Sequence, residues 1–568
     1  MAKCLQKDPT TEPLDKTLFM QSLLYTPIEE LPDGTHVVNG KIMTVAPRNT
    51  IATNAFLRME AHIKAVRERA GLGEHLGIRF HTEKAEEDLT ESMLYPDYGP
   101  VNSADADESV TDETQNFILM RLKASHKRRT EGAQFKRVLD ERIELDHKSI
   151  AARVLQILGC DGSKGILRPQ DFDTADYPPE FLTIFGEENL RYYKKVYAIP
   201  FSEATEDIRA GRKTNKEALK PVIKALTIIL IQNSTHIGVT TSMAQSGIVT
   251  TYFPANAVWT DEMGLAHSWS SAWQWSQQPF ADIRLWTGAA NQTPPQLFNQ
   301  QISNPFAPSA RISPLLLKVS QGFHVHKLNR CARARAPELL EVIRHANKDF
   351  TITGFDDRMA EADASVKLVR ASNVKNWKVS SALVFLTVQK ATCSVDGQHS
   401  KYCIETAVVA VNAAIKLAED VPEEHLKDIL LLCSYKAMKE LLFDMVDRYK
   451  HENRRHGRTG QLNRIIVRSG DEFQGLQADY VIYAHCAESW KSFTWLEPRV
   501  NVLLSRAEKG MTFVGDLLQI TKEGREPNNL LSFARHCAKE RMAVQINGAA
   551  LLKQGPIRVQ DVSKGHLR

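Results

Sequence analysis

Several features that would assign a protein class at once are missing from this 568-residue chain. Apolar stretches such as Ala225–Ile231 fall far short of the roughly 20 residues of a membrane-spanning helix. The first residues, MAKCLQKDPTTEPLDK, contain no apolar core of a signal peptide, and there is no repeat or low-complexity tract. We therefore expect a protein without a membrane partner, located inside the cell, with nucleus and cytoplasm both left open.

Cysteine is scarce, and its spacing excludes the usual cysteine motifs. The eight cysteines form no C-x-x-C pair, and the closest two, Cys393 and Cys403, lack the spacing of a zinc knuckle. We expect the reduced thiols of an intracellular protein. Net charge is also small, since 72 basic and 68 acidic residues give +4, which by itself does not call for a nucleic-acid partner.

What is present is an ordinary globular composition and a set of short strand signals. Apolar residues make up 43% and charged residues 25%, and the length suits two or three domains. Near the C-terminus, three apolar runs without alternation predict strands of a sheet buried on both faces: Ile465–Val467, Tyr480–Tyr483 and Met511–Val514. DEFQG (471–475) and RVNVLLSRA (499–507) separate them. This order predicts an α/β domain with charged groups at one sheet edge.

Earlier in the chain, strand-and-turn pieces recur. They are KIMTVAPRNT (41–50), GVTTS (238–242), VWTDEMG (258–264) and IRLWTGAANQTPP (283–295). The apolar run Ala225–Gln232 is interpreted as a further strand. After the first piece we expect a helix that stops at Gly71, with one apolar face made of Phe56, Met59, Ile63 and Val66.

The order of these pieces resembles superfamily 1 helicases, which are P-loop NTPases, and most closely the up-frameshift and senataxin-like group. FQG before a strand is similar to motif V, and RVNVLLSRA is similar to motif VI. APRN resembles motif Ia, VTT the v-x-T-T turn, DEMG motif II, and GAANQTPP motif III. LNRCAR (328–333) and CSY (433–435) stand where the family has L-x-x-Q-Y-R and T-P-Y.

The resemblance implies an α/β fold with two RecA-like parallel-sheet domains, the first incomplete at its N-terminus. Residues 38–74 and 221–319 would form the first domain and 320–541 the second. Residues 75–220 would be a largely helical insertion and a site for protein partners, although its charge runs are more often solvated faces. Residues 1–37 are expected to be irregular, and 542–568 a tail.

The resemblance also implies ATP and Mg²⁺ as cofactors and single-stranded RNA or DNA as the partner. Asp261 would hold the metal ion, Glu262 would polarise the attacking water, and Gln292, Arg333 and Arg506 would complete the catalytic residues. The other nucleotide-binding residues would be Gly288, Gln474, Gly475 and Arg499. The nucleic-acid backbone would contact Pro47, Asn49, Thr240 and Thr241.

Each piece also has an ordinary structural explanation. APxN is a common connection between strand and helix, and Asp-Glu after a strand often begins a helix. The basic segments Arg333–Arg335 and 451–458 are more often solvated faces than binding sites. Trp269, Trp273 and Trp275 would stack on bases in one interpretation and pack in the core in the other.

The phosphate loop is the absence with the largest consequence for function. Its backbone N–H groups and lysine cradle the phosphates, and its Ser or Thr ligates Mg²⁺, yet the sequence contains no G-x-x-x-x-G-K-[ST]. Ala289 and Gln477 also stand where the family has acidic residues. The sequence therefore predicts a helicase-like protein whose ATP-dependent unwinding or translocation is impaired. The alternative is a non-hydrolysing relative that binds nucleic acid or a protein.

Overall fold

The chain forms two compact units, each built on a parallel sheet. The computed structural model describes residues 41–47, 49–71, 74–81, 148–159, 172–209, 216–267, 276, 278–279, 281, 283–289, 295, 312–323, 325–347, 351–389, 391–397, 399–454, 460–470, 477–486, 495–521 and 528–547. The described residues up to Phe323 belong to the first unit, and those from Val325 onward to the second.

The first unit is built on a five-stranded sheet in the order β2-β3-β1-β4-β5, in which all neighbours are parallel. Its strands are β1 (Ile42–Ala46), β2 (Gly77–Arg79), β3 (His236–Thr240), β4 (Ala257–Thr260) and β5 (Ile283–Trp286). The first four are buried along their whole length, whereas β5 is partly exposed. Because the strands are parallel, their carboxyl ends share one edge.

Six helices accompany this sheet in the described part of the first unit. They are α1 (Asn49–Ala70), α2 (Ile150–Ile157), α3 (Pro179–Arg209), α4 (Lys216–Asn233), α5 (Gly247–Tyr252) and α6 (Pro314–Ser320). Short 3₁₀ helices cover Thr174–Asp176 and Met243–Gln245. The predicted face of α1 is confirmed, because Phe56, Met59, Ile63 and Val66 are all buried and Gly71 follows the helix with a φ of 65°.

Two expectations for the first unit were wrong. Ala225–Gln232 lies inside α4 and is not a strand. A short apolar run does not distinguish a strand from a buried helix. Here Leu226, Leu230 and Ile231 belong to a helix and are buried in the core of the first unit. The predicted start of the insertion, residue 75, is also too early, because β2 pairs with β3 in the main sheet.

A buried polar cluster links β1, β3 and α1 near the amino end of β3. The ring of His236 lies between Thr44 Oγ1, 2.8 Å from Nε2, and Glu60 Oε1, 2.6 Å from Nδ1. Lys148 Nζ donates to Glu60 Oε2 at 2.8 Å, and His75 Nε2 lies 3.3 Å from the same oxygen. Burial alone raises the pKa of Glu60, but these hydrogen bonds and charges outweigh it and hold that pKa well below 4.5.

The second unit is built on a six-stranded parallel sheet in the order β12-β11-β13-β14-β8-β15. Its strands are β8 (Leu383–Gln389), β11 (Ile429–Cys433), β12 (Ile465–Ser469), β13 (Ala478–Ala484), β14 (Ala507–Gly515) and β15 (Ala543–Asn547). Four short strands form two separate pairs: β6 (Arg330–Cys331) with β7 (Thr353–Gly354), and β9 (Ser394–Val395) with β10 (Lys401–Tyr402).

The described helices of the second unit pack around this sheet. They are α7 (Pro337–Asn347), α8 (Asp356–Trp377), α9 (Ile404–Asp420), α10 (Lys436–Arg454), α11 (Glu497–Leu504), α12 (Leu517–Thr521) and α13 (Asn529–Lys539), with a 3₁₀ helix at Gly460–Arg464. The three predicted strands are confirmed as β12, β13 and β14. The expected tail starts too early, because Ala543–Asn547 pairs with β8 as an edge strand.

The α/β class and the two parallel sheets expected of RecA-like domains are confirmed. The expected irregular segment at 1–37 lies outside the described residues. Among the described helices, none combines the length and apolar character that crossing a bilayer requires.

Candidate functional site

The carboxyl edge of the first sheet brings four of the sequence motifs together. The strand order places β3, β1, β4 and β5 side by side, so their following turns form one row. Along this row stand the v-x-T-T turn, motif Ia, motif II and motif III. Backbone bonds tie the row together, since Thr241 N–H donates to Ala46 O at 3.0 Å and Asp261 N–H donates to Val45 O at 2.8 Å.

Asp261 is fixed by a residue of the neighbouring strand turn. Thr287 Oγ1 donates to Asp261 Oδ1 at 2.6 Å, and Trp259 Nε1 donates to Thr287 Oγ1 at 2.9 Å. The threonine hydroxyl therefore orients the carboxylate from the end of β5. The sequence analysis did not single out Thr287, although a threonine directly after the motif III strand could have suggested it.

The turns of motifs II and III approach each other closely at two glycines. A Cβ atom on Gly264 would lie 2.7 Å from Ala289 O, and one on Gly288 would lie 3.0 Å from Met263 N. Met263 N–H also donates to Thr287 O at 2.9 Å. Gly288, predicted as a nucleotide-site residue, therefore has a packing role in this turn.

Glu262, between Asp261 and these glycines, has a backbone conformation that side chains rarely adopt. Its φ is 52°, in the left-handed region, which costs a non-glycine residue about 1–2 kcal/mol. Leu265 N–H donates to Glu262 O at 2.9 Å and closes the turn. Backbone strain of this kind is concentrated at functional sites.

The predicted nucleic-acid residues lie on the neighbouring part of the same edge. Pro47 follows β1, and Asn49 begins α1, whose N-terminus carries a partial positive charge. Thr240 ends β3, and its Oγ1 accepts from Met243 N–H at 3.3 Å. Thr241 is 6% exposed, and its Oγ1 is buried without a hydrogen-bond partner. The structure therefore brings these four residues together at one edge.

The oxygen donors at this edge suit Mg²⁺ better than a softer metal. Asp261 and Glu262 are half-buried carboxylates, the hard ligands that Mg²⁺ prefers. No group of three or more His, Cys, Asp or Glu residues suited to a metal ion occurs among the described residues. In proteins Mg²⁺ is usually held by one or two carboxylates together with water and phosphate oxygens. A phosphate loop to supply the remaining contacts is missing from the sequence.

In the second unit, three motifs meet at the amino edge of the sheet. Arg333 Nε donates to Gln477 Oε1 at 3.3 Å, and its Nη1 donates to the carbonyl of Ser505. Ala478 N–H donates to Arg506 O at 3.1 Å, which joins the starts of β13 and β14. Gln477, where the family has an acidic residue, thus still binds Arg333 through its amide oxygen.

Three further arginines of the second unit have different environments. Arg506 is only 1% exposed, and its Nε donates to Val502 O at 2.7 Å. Arg499 is half-buried in the first turn of α11. Arg335 N–H donates to Glu508 O at 2.7 Å, and the side chains of these residues approach to 3.8 Å. Burial, with the nearby charge of Asp479, raises the pKa of Glu508.

Other predicted residues lie outside the described residues. They are Gln292, Gln474 and Gly475, the tryptophans at 269, 273 and 275, and the centre of the basic segment 451–458. The residues the sequence analysis missed are Thr287 and Ser505, which contribute a side-chain hydroxyl and a backbone carbonyl. A carbonyl contact leaves no signal in the sequence.

Among the comparisons with known proteins, a family model matches part of the second unit. Residues 347–518 match the sequence model of a family described as an AAA domain. The matched segment contains the pieces DEFQG and RVNVLLSRA. No curated protein matches the chain. Among solved structures, the crystal structure of T4 UvsW is similar at 13% identity with a TM-score of 0.16; the match covers 60% of this chain and 61% of UvsW.

Proposed function

We propose that this chain is a superfamily 1 helicase-like protein of the up-frameshift and senataxin-like group. In this proposal it binds single-stranded RNA or DNA, and its ATP-dependent unwinding or translocation is impaired. The observation that carries the proposal is the row of motifs on the first sheet. Pro47 and Asn49 follow β1, directly beside the Asp261–Glu262 turn, and Thr240 and Thr241 lie at the end of β3 on the other side of β1.

The nucleotide chemistry is proposed to be only partly supplied by this chain. When bound, Mg²⁺ would neutralise phosphate charge, and Asp261, oriented by Thr287, would hold it. Glu262 would polarise water, and by the resemblance Arg333 and Arg506 would be the catalytic arginines. The lack of a G-x-x-x-x-G-K-[ST] loop removes the main phosphate contacts, which is why we infer weak nucleotide binding.

Nucleic-acid binding is tested by fluorescence anisotropy with short labelled single strands of RNA and DNA. We expect affinity that falls as salt rises, because contacts to phosphates release counterions. Asn49→Asp places a negative charge at the proposed edge and should weaken binding several-fold. Asn233→Asp is the matched control. Asn233 ends α4 just before the amino end of β3, at the sheet edge opposite to the proposed binding residues. No binding at low salt, or equal effects of both variants, would contradict the proposal.

Catalytic impairment is tested separately on the same 568-residue chain. A fluorescent ATP analogue is titrated with and without Mg²⁺, and ATP hydrolysis is measured with and without single-stranded nucleic acid. We expect weak binding and no stimulated turnover. Stimulated hydrolysis that is lost in Arg506→Ala would instead establish an active motor and end the proposal of impairment.

A second candidate function is protein binding through the helical insertion. Tyr192, Val196 and Ile199 recur at helical spacing on α3 and are 57%, 42% and 49% exposed. Such a stripe suits contact with an apolar partner surface. A photoreactive residue at Val196 should cross-link a partner that the same residue at the exposed Lys195 does not. Equal labelling from both positions would reject this function.

A further inference from the structure

Three cysteines of the second unit lie together although the sequence separates them. The Sγ atoms of Cys393 and Cys486 are 3.4 Å apart, and 93 positions separate the two residues. Cys403 hydrogen-bonds with Cys393, and this bond together with burial raises the pKa of Cys403. None of the three is in a disulfide. The cluster lies at the carboxyl edge of the second sheet, whereas Arg333 and Arg506 lie at its amino edge.

A hairpin and the strand order create this cluster. In the β9–β10 hairpin, Tyr402 pairs with Ser394, so the next cross-strand position joins Cys403 and Cys393. Cys486 follows β13 by two positions. Because β14 lies between β13 and β8 in the sheet, the loop after β8 spans the end of β14 to reach Cys486.

The three thiols differ in access and in their partners. Cys393 is half-buried, whereas Cys403 and Cys486 are 1% and 2% exposed. The Cys403 thiol donates to Glu405 Oε2 at 3.3 Å, and Glu405 Oε1 accepts from Thr392 N–H at 3.4 Å, directly before Cys393. Oxidants react with accessible cysteines, so Cys393 is the thiol that an oxidant reaches first.

We propose that Cys393 and Cys486 are a peroxide-responsive thiol pair that forms a reversible disulfide. The Cys393 thiol loses its proton and its sulfur attacks one oxygen of hydrogen peroxide; the O–O bond breaks, sulfenic acid forms, and the hydroxide released takes up the Cys393 proton as the first water. The Cys486 sulfur then attacks the Cys393 sulfur, and the leaving hydroxide takes the Cys486 proton as water. Two thiols are oxidised to one disulfide while one peroxide is reduced to two waters.

The geometry favours this step over other fates of the cluster. The sulfurs need to approach by roughly 1.4 Å, from 3.4 Å to the ~2.05 Å of a disulfide. Side-chain rotation supplies movements of this size without a change in strand pairing. The described residues offer no group of three ligands suited to a metal ion, so the three thiols are not assigned as a metal site.

The test is disulfide mapping on the full wild-type chain, which requires no variant to fold. The reduced chain is treated with a small excess of hydrogen peroxide, alkylated, digested without reductant and examined by mass spectrometry. We expect a Cys393–Cys486 peptide as the main cross-link, and its loss after dithiothreitol. A dominant Cys393–Cys403 link, cross-links scattered over all cysteines, or sulfinic acid at Cys393 with no cross-link would overturn the proposal.

Variants and a denatured control connect the cross-link to the native contact. Cys486→Ser should abolish the cross-link and leave a sulfenic acid at Cys393 that dimedone labels. Cys403→Ser and Cys331→Ser should retain the cross-link. Cys331 is the matched control because it is also half-buried in the same unit. In guanidinium the Cys393–Cys486 preference should disappear. If the Cys393–Cys486 preference persists in guanidinium, or if the cross-link is lost in Cys331→Ser, the folded structure does not determine this disulfide.

Discussion

The hydroxyl of Thr287 donates to Asp261 Oδ1 across 2.6 Å and links the ends of two adjacent strands. The Thr287 hydroxyl oxygen also accepts from the indole N–H of Trp259, so the Thr287 side chain binds both groups. The position of the motif II carboxylate therefore depends on a residue from motif III.

Replacing Thr287 by valine should destabilise the first unit by about 1–3 kcal/mol, because it removes partners from two partly buried polar groups. The measurement is urea unfolding followed by tryptophan fluorescence. Thr250→Val is the control, since the Thr250 hydroxyl makes only an exposed hydrogen bond to Gly247 O. Equal stability of Thr287→Val and the parent chain would show that this bond does not hold the turn.

Gly264→Ala should be destabilising by about 1–3 kcal/mol, because its Cβ would lie 2.7 Å from Ala289 O and force the two turns apart. Hydrogen exchange should increase at the amides of Met263 and Thr287, which close this turn. Gly247→Ala is the matched control, since its Cβ would meet nothing within 4 Å. If both variants behave alike, the close approach of the turns is not the cause.

Arg333→Lys should loosen the amino edge of the second sheet, because an ammonium cannot reproduce the fork that reaches both Gln477 and Ser505. We expect faster hydrogen exchange at the amide of Ala478 and a global stability change below about 1 kcal/mol, since the site is partly exposed. Arg535→Lys, on the exposed face of α13, is the control. Unchanged exchange at Ala478 would contradict the assigned link.

Acid should destabilise the first unit through His236 and Glu60. Burial lowers the pKa of His236 below 6.5, although Glu60 acts in the opposite direction. As pH drops below 6.5, His236 is therefore protonated in the unfolded chain before it is protonated in the folded chain, and the free energy of unfolding falls. The pKa of Glu60 lies well below 4.5 in the folded state, so its contribution is lost only at lower pH. His75 and Lys148 also face this cluster and shift its titration.

The experiment for this pH dependence is pulse proteolysis in urea between pH 7.5 and pH 5, with mass spectrometry of peptides from β1 and β3. His236→Gln should be less stable than the parent at pH 7.5 but should lose less stability on acidification. His451→Gln, at an exposed position of α10, should keep the parent slope. A parent-like slope in His236→Gln would exclude this histidine as the source.

The local sequence predicted elements better than it predicted their partners. The apolar runs at 465–467, 480–483 and 511–514 became β12, β13 and β14, because a strand buried on both faces must be apolar along its length. The run at Ala225–Gln232 became part of a helix instead, because a helix packed against the core is equally apolar over so few residues.

By itself the sequence determined an α/β domain near the C-terminus, the order of the motifs and the lack of a G-x-x-x-x-G-K-[ST] loop, since each is written in local composition or spacing. A second sheet was only implied by the resemblance. Tertiary structure alone decided that Cys393 meets Cys486, that Arg333 reaches Ser505, and that Thr287 orients Asp261. These contacts depend on which strands lie side by side, and strand order is set by packing of the whole sheet and not by any local pattern.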